Sequence, residues 1–323
     1  MKKNIINLVM LLIWIAYTGA QEKVINNLKY PEGYKVSPLG KTLVNEYGIG
    51  EKAIAIIADP GFNEDFFKPL IEELKDYKIL VFTIPGTPEL NGYPVNTTSF
   101  GNRVWLKAIQ TNIVEKLKES GYESYTLMGH LAISTHLVLR IALDQPELVS
   151  RGLILAGSPY SSWPSRSDPS GNTPVKLEER AGSMDYYLAP RFYKTLSKEN
   201  WDQGLYQPEH YSKDEDLGNT LYTKSTKANV TVLINLLCEY FTTNISSELN
   251  NIKTSFLLLI PEFDKEHLEK YPARKNFFDN FWKADGEYPK MFKVAKIKDL
   301  RLGMGYEINR DLIHQIRTFL THK

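Results

Sequence analysis

The stretch LMGHLAIST, residues 127–135, joins an apolar run typical of a buried strand to a segment with the apolar spacing of a helix. Gly129 and His130 stand at the junction, so the stretch predicts a short turn from strand to helix. Pro146 ends the helix, and a second apolar strand follows at residues 152–156. A strand, a helix and a strand in this order indicate a parallel sheet covered by helices.

The same alternation continues on both sides of this stretch and predicts the α/β class, with a mostly parallel sheet flanked by helices. The predicted strands are 53–57, 78–82, 122–128, 152–156, 255–260 and 292–295, and the predicted helices are 66–77, 101–120, 134–143, 230–241 and 309–320.

Residues 160–253 interrupt the alternation with loops rich in proline and serine and with many aromatic side chains. An insertion of this length is too long for a plain connection and predicts an inserted helical cap. The first part of the α/β core is then 21–159 and the last part is 254–323. The aromatic residues of the insert, Trp163 among them, either line a pocket or form the insert's own core.

The first twenty residues have the pattern of a signal peptide. Lys2 and Lys3 precede an apolar stretch at residues 5–16, and small residues stand at the positions that a signal peptidase accepts before Gln21. The stretch is shorter than the roughly 20 residues of a membrane span. We therefore expect a secreted or periplasmic protein without a stable membrane span after cleavage of residues 1–20; an uncleaved membrane anchor is the alternative.

Charge and motif content exclude several functional classes. The chain has 39 basic and 38 acidic residues, which gives no electrostatic reason to expect a nucleic-acid partner. The six histidines and the single cysteine, Cys238, show no metal-ligand spacing, so no metal site is expected. No phosphate loop or dinucleotide fingerprint is present, and no cofactor is expected.

The order of these motifs resembles the capped α/β-hydrolase family, in a layout similar to epoxide hydrolases, haloalkane dehalogenases and carboxylesterases. The resemblance covers about residues 39–320. It is carried by ADPGF (58–62), YTLMGHLA (125–132), PELVSRGLILAGSP (146–159), TSFLLLIPEFDK (254–265) and RDLIHQIRTFL (310–320). It implies a nucleophile, a histidine, an acid and an oxyanion hole, each at a known place in the motif order.

The turn of the family has the form Gly-x-nucleophile-x-Gly. Gly129 matches the first glycine, which places Leu131 at the nucleophile and Ile133 at the second glycine. Leucine has no lone pair to offer, and the bulk of Ile133 suggests a turn less tight than in active relatives. His130 falls on a variable position of the motif and is expected to pack or hydrogen-bond rather than to catalyse.

The resemblance also implies where the acid and the histidine should lie. Asp264, in the turn PEFD, matches the retained acid position. The histidine position falls on Leu302, or on a glycine if the alignment slips by one, with Glu307 matching the glutamate that follows it. No histidine is available there, and His267 is the only one near a site-forming loop.

The oxyanion loop of the family corresponds to Asp59-Pro60-Gly61. If Pro60 falls on the donor position, the donor N–H is missing; a slip of one residue places Gly61 there instead. Asp59 would bring a negative charge to the place where negative charge must develop. Pro60, Gly61, His130 and Trp163 are the residues that we expect to contact a ligand.

Together with the signal-peptide pattern, these substitutions predict an exported protein with the α/β-hydrolase fold that has lost hydrolase chemistry and binds a small apolar molecule or a protein partner. The alternative is a divergent hydrolase of an ester, an epoxide or a similar C–O bond that uses recruited residues. The candidates for such recruitment are Asp264 with His267, or Ser158 at the end of a strand. A structural or adhesive protein is a third hypothesis.

Overall fold

The computed structural model describes residues 42–87, 105–160, 207–226, 232–233, 236, 240, 245–272, 281–283 and 287–321. The predicted signal peptide, Trp163 and most of the predicted cap at 160–253 lie outside the described residues. The predictions about these segments therefore stay predictions.

The described chain forms a seven-stranded sheet, and the predicted α/β class is confirmed. The strand order is β1-β3-β2-β4-β5-β6-β7, with β1 antiparallel to β3 and every other pair parallel. The strands are β1 (Leu43–Tyr47), β2 (Ala53–Ile57), β3 (Lys78–Thr83), β4 (Tyr125–His130), β5 (Val149–Leu155), β6 (Ser255–Pro261) and β7 (Phe292–Ile297).

Helices cover both faces of the sheet. They are α1 (Glu64–Glu73), α2 (Trp105–Glu119), α3 (Leu131–Asp144), α4 (Glu215–Thr226), α5 (Lys265–Lys270) and α6 (Arg310–Thr321), and short 3-10 helices lie at Pro146–Leu148, Pro208–His210 and Ser246–Asn251. All five residues of β2 are buried because its two faces supply two different cores. No helix in the described part of the chain is long and apolar enough to cross a membrane.

Four elements differ from the prediction, and one of them is helix α4, whose mostly polar sequence EDLGNTLYTKST was not predicted to be helical. Strand β1 was not predicted, because its sequence LVNEY is polar in the middle and an edge strand needs no continuous apolar run. Helix α5 was also not predicted, since six residues are too few for helical periodicity to show. Helix α3 begins at Leu131, three residues before the predicted start, so it follows β4 without an intervening loop.

The parallel strands bring the loops of interest to one edge of the sheet. Strands β2 and β4 to β7 run in the same direction, so their carboxyl ends share an edge, where binding sites of open α/β sheets form. The residues that follow these strand ends are Asp59, Leu131, Ser158, Asp264 and Leu302.

Candidate functional site

The turn between β4 and α3 is tight. Leu131 has φ 62°, in the left-handed region that a leucine rarely adopts. A Cβ added at Gly129 would lie 2.9 Å from the backbone N and Cα of Thr135, so the strand and the helix approach each other too closely for a side chain at Gly129. The side chain of Ile133, at the position of the second glycine, is fully buried in the core.

Leu131 therefore sits, in strained backbone, at the tip of the turn that the resemblance assigns to a nucleophile. Its side chain is half-buried and packs at the margin of an apolar cluster. A hydrocarbon at this tip offers contact area and no electron pair. The tight turn between β4 and α3 is therefore formed, but the side chain at its tip has no reactive atom.

His130, directly before this tip, is fully buried. Its Nε2 lies 2.8 Å from the carbonyl oxygen of Leu302, so Nε2 carries the proton and donates it to that oxygen. Three phenylalanine rings surround the imidazole, and burial lowers the pKa of His130 to about 4. The ring stays neutral and ties the turn to the loop after β7.

Asp59 lies at the amino end of helix α3. Its Oδ1 accepts a hydrogen bond from the amide of Ser134 at 2.8 Å, and the amide of Ile133 also hydrogen-bonds to the carboxyl group. The hydroxyl of Ser134 donates to the carbonyl of His130. The carboxyl group of Asp59 thus accepts hydrogen bonds from amides that, at the amino end of a helix, would otherwise be available to an anion.

The carboxyl group of Asp59 is buried, and this sets its protonation. Burial raises the pKa of Asp59 to about 7, although the hydrogen bonds from Ser134 and Ile133 lower the pKa and oppose burial. Tyr240 is fully buried within electrostatic range of it, and burial, followed by the charge of Asp59, raises the pKa of Tyr240.

The loop after β2 closes as a β-turn from Asp59 to Phe62. Proline at the second position and Gly61 at the third, with φ 94°, suit a turn that needs positive φ there. The amide of Phe62 donates to the Asp59 carbonyl at 3.0 Å, and the amide of Gly61 donates to the Thr87 hydroxyl at 3.3 Å. Pro60 has no N–H. The predicted binding residues Pro60 and Gly61 therefore direct no amide donor toward an oxyanion.

Leu302 lies in the loop after β7 and is buried. Its carbonyl accepts from His130, and its amide donates to the carbonyl of His210 at 3.0 Å. The position that the resemblance assigns to a histidine is held by backbone hydrogen bonds on both sides. Leu302 supplies no group that could move a proton.

Asp264 caps the amino end of helix α5 and pairs with a cation instead of an imidazole. Its Oδ1 accepts from the amide of His267 at 2.8 Å, and its Oδ2 lies 3.1 Å from Nη2 of Arg301. The amide of His267, followed by Arg301 and Lys213, lowers the pKa of Asp264. Arg301 directly precedes Leu302 in the chain, so a guanidinium occupies the partner position beside the acid.

The ring of His267 points to another histidine. Its Nε2 lies 3.0 Å from Nδ1 of His210, in the 3-10 helix Pro208–His210, and both residues are buried. Asp264 reaches only the backbone of His267. The other suggested recruit, Ser158, donates its hydroxyl to the carbonyl of Phe281 and accepts from the amide of Tyr160 at 3.0 Å.

Half-buried aromatic side chains lie beside the turn. A Cβ added at Gly157 would overlap the carbonyl oxygen of Leu131, so the two residues are in contact. The indole of Trp282 donates to the carbonyl of Gly157 at 2.7 Å, and the ring of Phe263 stacks on that indole at 6.5 Å between centroids. We call Leu131, Trp282 and Phe263 the apolar wall.

Some of these groups left a signal in the sequence and others did not. Asp59 was visible as a charge in the oxyanion loop, and Arg301 stood next to the substituted histidine position. Trp282 and His210 lie far from any motif, and nothing in the sequence connected them to the site. Among the residues that the structure describes, no group of three or more His, Cys, Asp or Glu side chains is arranged to hold a metal ion.

Comparison with solved structures identifies the fold. The lipase-esterase related protein from Clostridium acetobutylicum ATCC 824 is 13% identical and superposes with a TM-score of 0.58 over 86% of this chain and 99% of its own. MenH from S. aureus is 17% identical, with a TM-score of 0.59 over 86% of this chain and 97% of its own. Bromoperoxidase from Bacillus anthracis is 12% identical, with a TM-score of 0.58 over 87% and 95% of the two chains.

The chain thus has the α/β-hydrolase fold, as the motif order predicts. No family model and no curated protein sequence matches it significantly.

Proposed function

We propose that this protein is a non-hydrolytic α/β-hydrolase-fold protein that binds an uncharged, apolar small molecule against the apolar wall. The observation that carries the proposal is Leu131 at φ 62°. The tight turn is kept, and the side chain that it presents cannot attack a carbon atom.

The other parts of the machinery support the same conclusion. Leu302 offers no base, Arg301 pairs with Asp264, and Asp59 takes up amides at the amino end of α3. Loss of the nucleophile or the base from a working triad removes on the order of 10⁴- to 10⁶-fold in turnover, and most of the remainder depends on the oxyanion hole. In this protein the contribution of the oxyanion hole is weakened as well.

The chemical class of the ligand follows from the same residues. Leu131, Trp282 and Phe263 are half-buried apolar side chains, two of them aromatic, and their exposed parts favour contact with an apolar ligand. Asp59, when ionised, opposes a second negative charge near the turn. The wall therefore suits a neutral ligand better than a carboxylate of the same shape.

The alternative of a divergent hydrolase draws support from the neighbours, which include a lipase-esterase related protein. The contacts of the residues suggested for such a hydrolase, Asp264 with His267 and Ser158, favour this alternative less. The His267 ring is bonded to His210 rather than to Asp264, and Ser158 donates to a backbone carbonyl.

Export is part of the proposal. It is supported by the basic and apolar pattern of residues 1–20 and by the small residues before Gln21. The mature chain would then begin at Gln21.

The loss of hydrolysis is tested with methyl 2-naphthoate, a panel of p-nitrophenyl esters and a fluorophosphonate probe. We expect the wild-type protein to release no product above a protein blank and to take up no probe. Leu131→Ser is expected to remain at least 10³-fold below an active esterase, roughly the contribution of a missing base, because Leu302 supplies no base and the oxyanion loop supplies no donor.

Leu131→Ala is the matched control, since it shortens the side chain without adding a hydroxyl. Ester turnover by the wild type that disappears in Asp264→Ala, His267→Gln or Ser158→Ala would show a divergent hydrolase. Probe uptake by the wild type would lead to the same conclusion.

Ligand binding is tested by calorimetry with methyl 2-naphthoate and with 2-naphthoate, which share one ring system and differ in charge. At pH 8 we expect the ester to bind at least about tenfold more tightly, because Asp59 opposes the carboxylate. Trp282→Ala should weaken ester binding by about tenfold or more, through loss of an aromatic face.

Leu43→Ala is the control variant, because Leu43 lies at the edge of the sheet in β1 and is exposed. Equal affinity for ester and acid, or ester binding that is unchanged in Trp282→Ala, contradicts the assignment of the ligand class. Neither result affects the outcome of the hydrolysis test.

A further inference from the structure

Two buried histidines share one hydrogen bond beside the site. Nδ1 of His210 and Nε2 of His267 are 3.0 Å apart, and the two residues are 0% and 5% exposed. Neither nitrogen can accept unless it lacks a proton, so one proton lies between the two facing nitrogens. The ring of Tyr271 contacts both imidazoles.

The pair joins two separate parts of the chain. His210 ends the 3-10 helix Pro208–His210, which precedes α4, whereas His267 belongs to α5 after β6. Backbone hydrogen bonds also hold this segment to the loop after β7. The carbonyl of His210 accepts from the amide of Leu302 at 3.0 Å, and the carbonyl of Tyr211 accepts from the amide of Gly303 at 2.9 Å. Residues 207–226 are thus held against the loops that follow β6 and β7.

Charged groups surround the pair on every element packed against it. Arg301 donates to the carbonyl of Glu209 and pairs with Asp264. The carboxylate of Glu209 accepts from Lys270 at 2.8 Å and from the Tyr271 hydroxyl at 2.9 Å.

These carboxylates keep their charge in mild acid. Burial alone would raise the pKa of Glu209, but Lys270 and the other donors lower it to about 2, and the pKa of Asp264 is also lowered. Glu307 lies near Arg301, and burial raises its pKa. Glu209 and Asp264 therefore stay ionised in mild acid, and His267 is the group of this pair that gains a proton when the junction opens.

We propose that the His210–His267 pair is an acid-sensitive latch that holds residues 207–226 on the core at neutral pH and releases them as the pH falls. When both imidazole rings are protonated, both facing nitrogens carry hydrogen, so the hydrogen bond between them is lost and two cations face each other. Arg301 adds a third positive charge beside them. This inference does not depend on whether the apolar wall binds a ligand.

The direction of the pH dependence follows from His267. Its pKa is lowered to about 4 in the closed state, by burial first and by Arg301 second, whereas an exposed histidine has a pKa of about 6.5. The latch is at full strength above pH 6.5 and weakens as the pH falls toward 4. Protonation of His267 alone raises the opening equilibrium by on the order of tenfold between pH 7.5 and pH 5.

Amide hydrogen exchange on the full chain reports this opening. The amides of Leu302 and Gly303, which bond to His210 and Tyr211, are expected to lose about tenfold or more of their protection at pH 5 relative to pH 7.5, after correction for intrinsic exchange. Amides within β5 should keep theirs. The double variant His210→Gln/His267→Gln should lose this pH dependence, because glutamine does not titrate.

His314→Gln on α6 is the control and should respond to pH as the wild type does. Equal pH dependence in the double variant, or unchanged protection of Leu302 and Gly303 in the wild type at pH 5, overturns the latch. If the double variant does not fold, NMR titration of the wild-type imidazoles decides the question. Two rings that titrate near pH 6.5 while both amides stay protected would refute the proposal.

Discussion

Replacing Asp59 with asparagine is expected to raise the free energy of unfolding at pH 8 by up to about 4 kcal/mol. The carboxyl group is buried, and its pKa is raised from 3.8 to about 7. Ionisation of Asp59 therefore destabilises the folded protein relative to the unfolded chain. Asparagine keeps an oxygen for the Ser134 amide and carries no charge. Urea unfolding at a series of pH values measures the difference.

The sign follows from proton binding. Between about pH 4 and pH 7 the folded protein holds a proton on Asp59 that the unfolded chain has released, so the contribution of Asp59 to stability falls as the pH rises. Above pH 7 the full cost is present. The gain from Asp59→Asn should therefore be largest at pH 8 and near zero at pH 4.

Asp299→Asn is the matched control, since Asp299 is exposed and pairs with Lys213, which lowers its pKa. That variant should show no gain at pH 8. If Asp59→Asn is instead less stable at pH 8 than at pH 4 relative to the wild type, the helix amides outweigh burial and the carboxylate stabilises the fold.

Gly157→Ala is expected to lower the free energy of unfolding by about 3 kcal/mol. A Cβ at this position would overlap the hydroxyl of Thr135 and the carbonyl oxygen of Leu131. The carbonyl cannot move without changing the turn, so the strain spreads into β5 or α3. Thermal unfolding followed by circular dichroism measures the loss.

Gly121→Ala separates lack of space from backbone strain. Gly121 has φ 83°, and nothing lies within 4 Å of an added Cβ, so only the left-handed backbone opposes alanine there, at a cost of about 1 kcal/mol. Equal losses in the two glycine variants would show that Gly157 is not closely packed against the turn.

The sheet and the turn could be predicted from the sequence because each rests on a local pattern. Strand β2 reads as AIAII, and the run from Gly129 into helix α3 carries the motif that fixes the strand-to-helix junction. Strand β1 could not be predicted in this way, because its place depends on antiparallel pairing with β3 rather than on its own apolar residues.

In the sequence, the candidate site residues stand out only through the resemblance, which assigns a nucleophile to Leu131 and a histidine to Leu302. The charge of Asp59 stands out in its loop. The hydrogen bond from Ser134 to Asp59 spans 75 residues, and the pairing of His210 with His267 spans 57. Such contacts are set by tertiary packing and leave no spacing rule in the chain.

The backbone conformation of Leu131 is strained and is held in place by its neighbours. A leucine at φ 62° carries roughly 1–2 kcal/mol of conformational strain that glycine would avoid. The close fit of Gly129 against the helix and of Gly157 against the turn holds it there. If a ligand binds at Leu131 as proposed, it contacts a side chain whose position is already fixed. Little conformational entropy would then be lost on binding, and selectivity among ligands would depend on their shape.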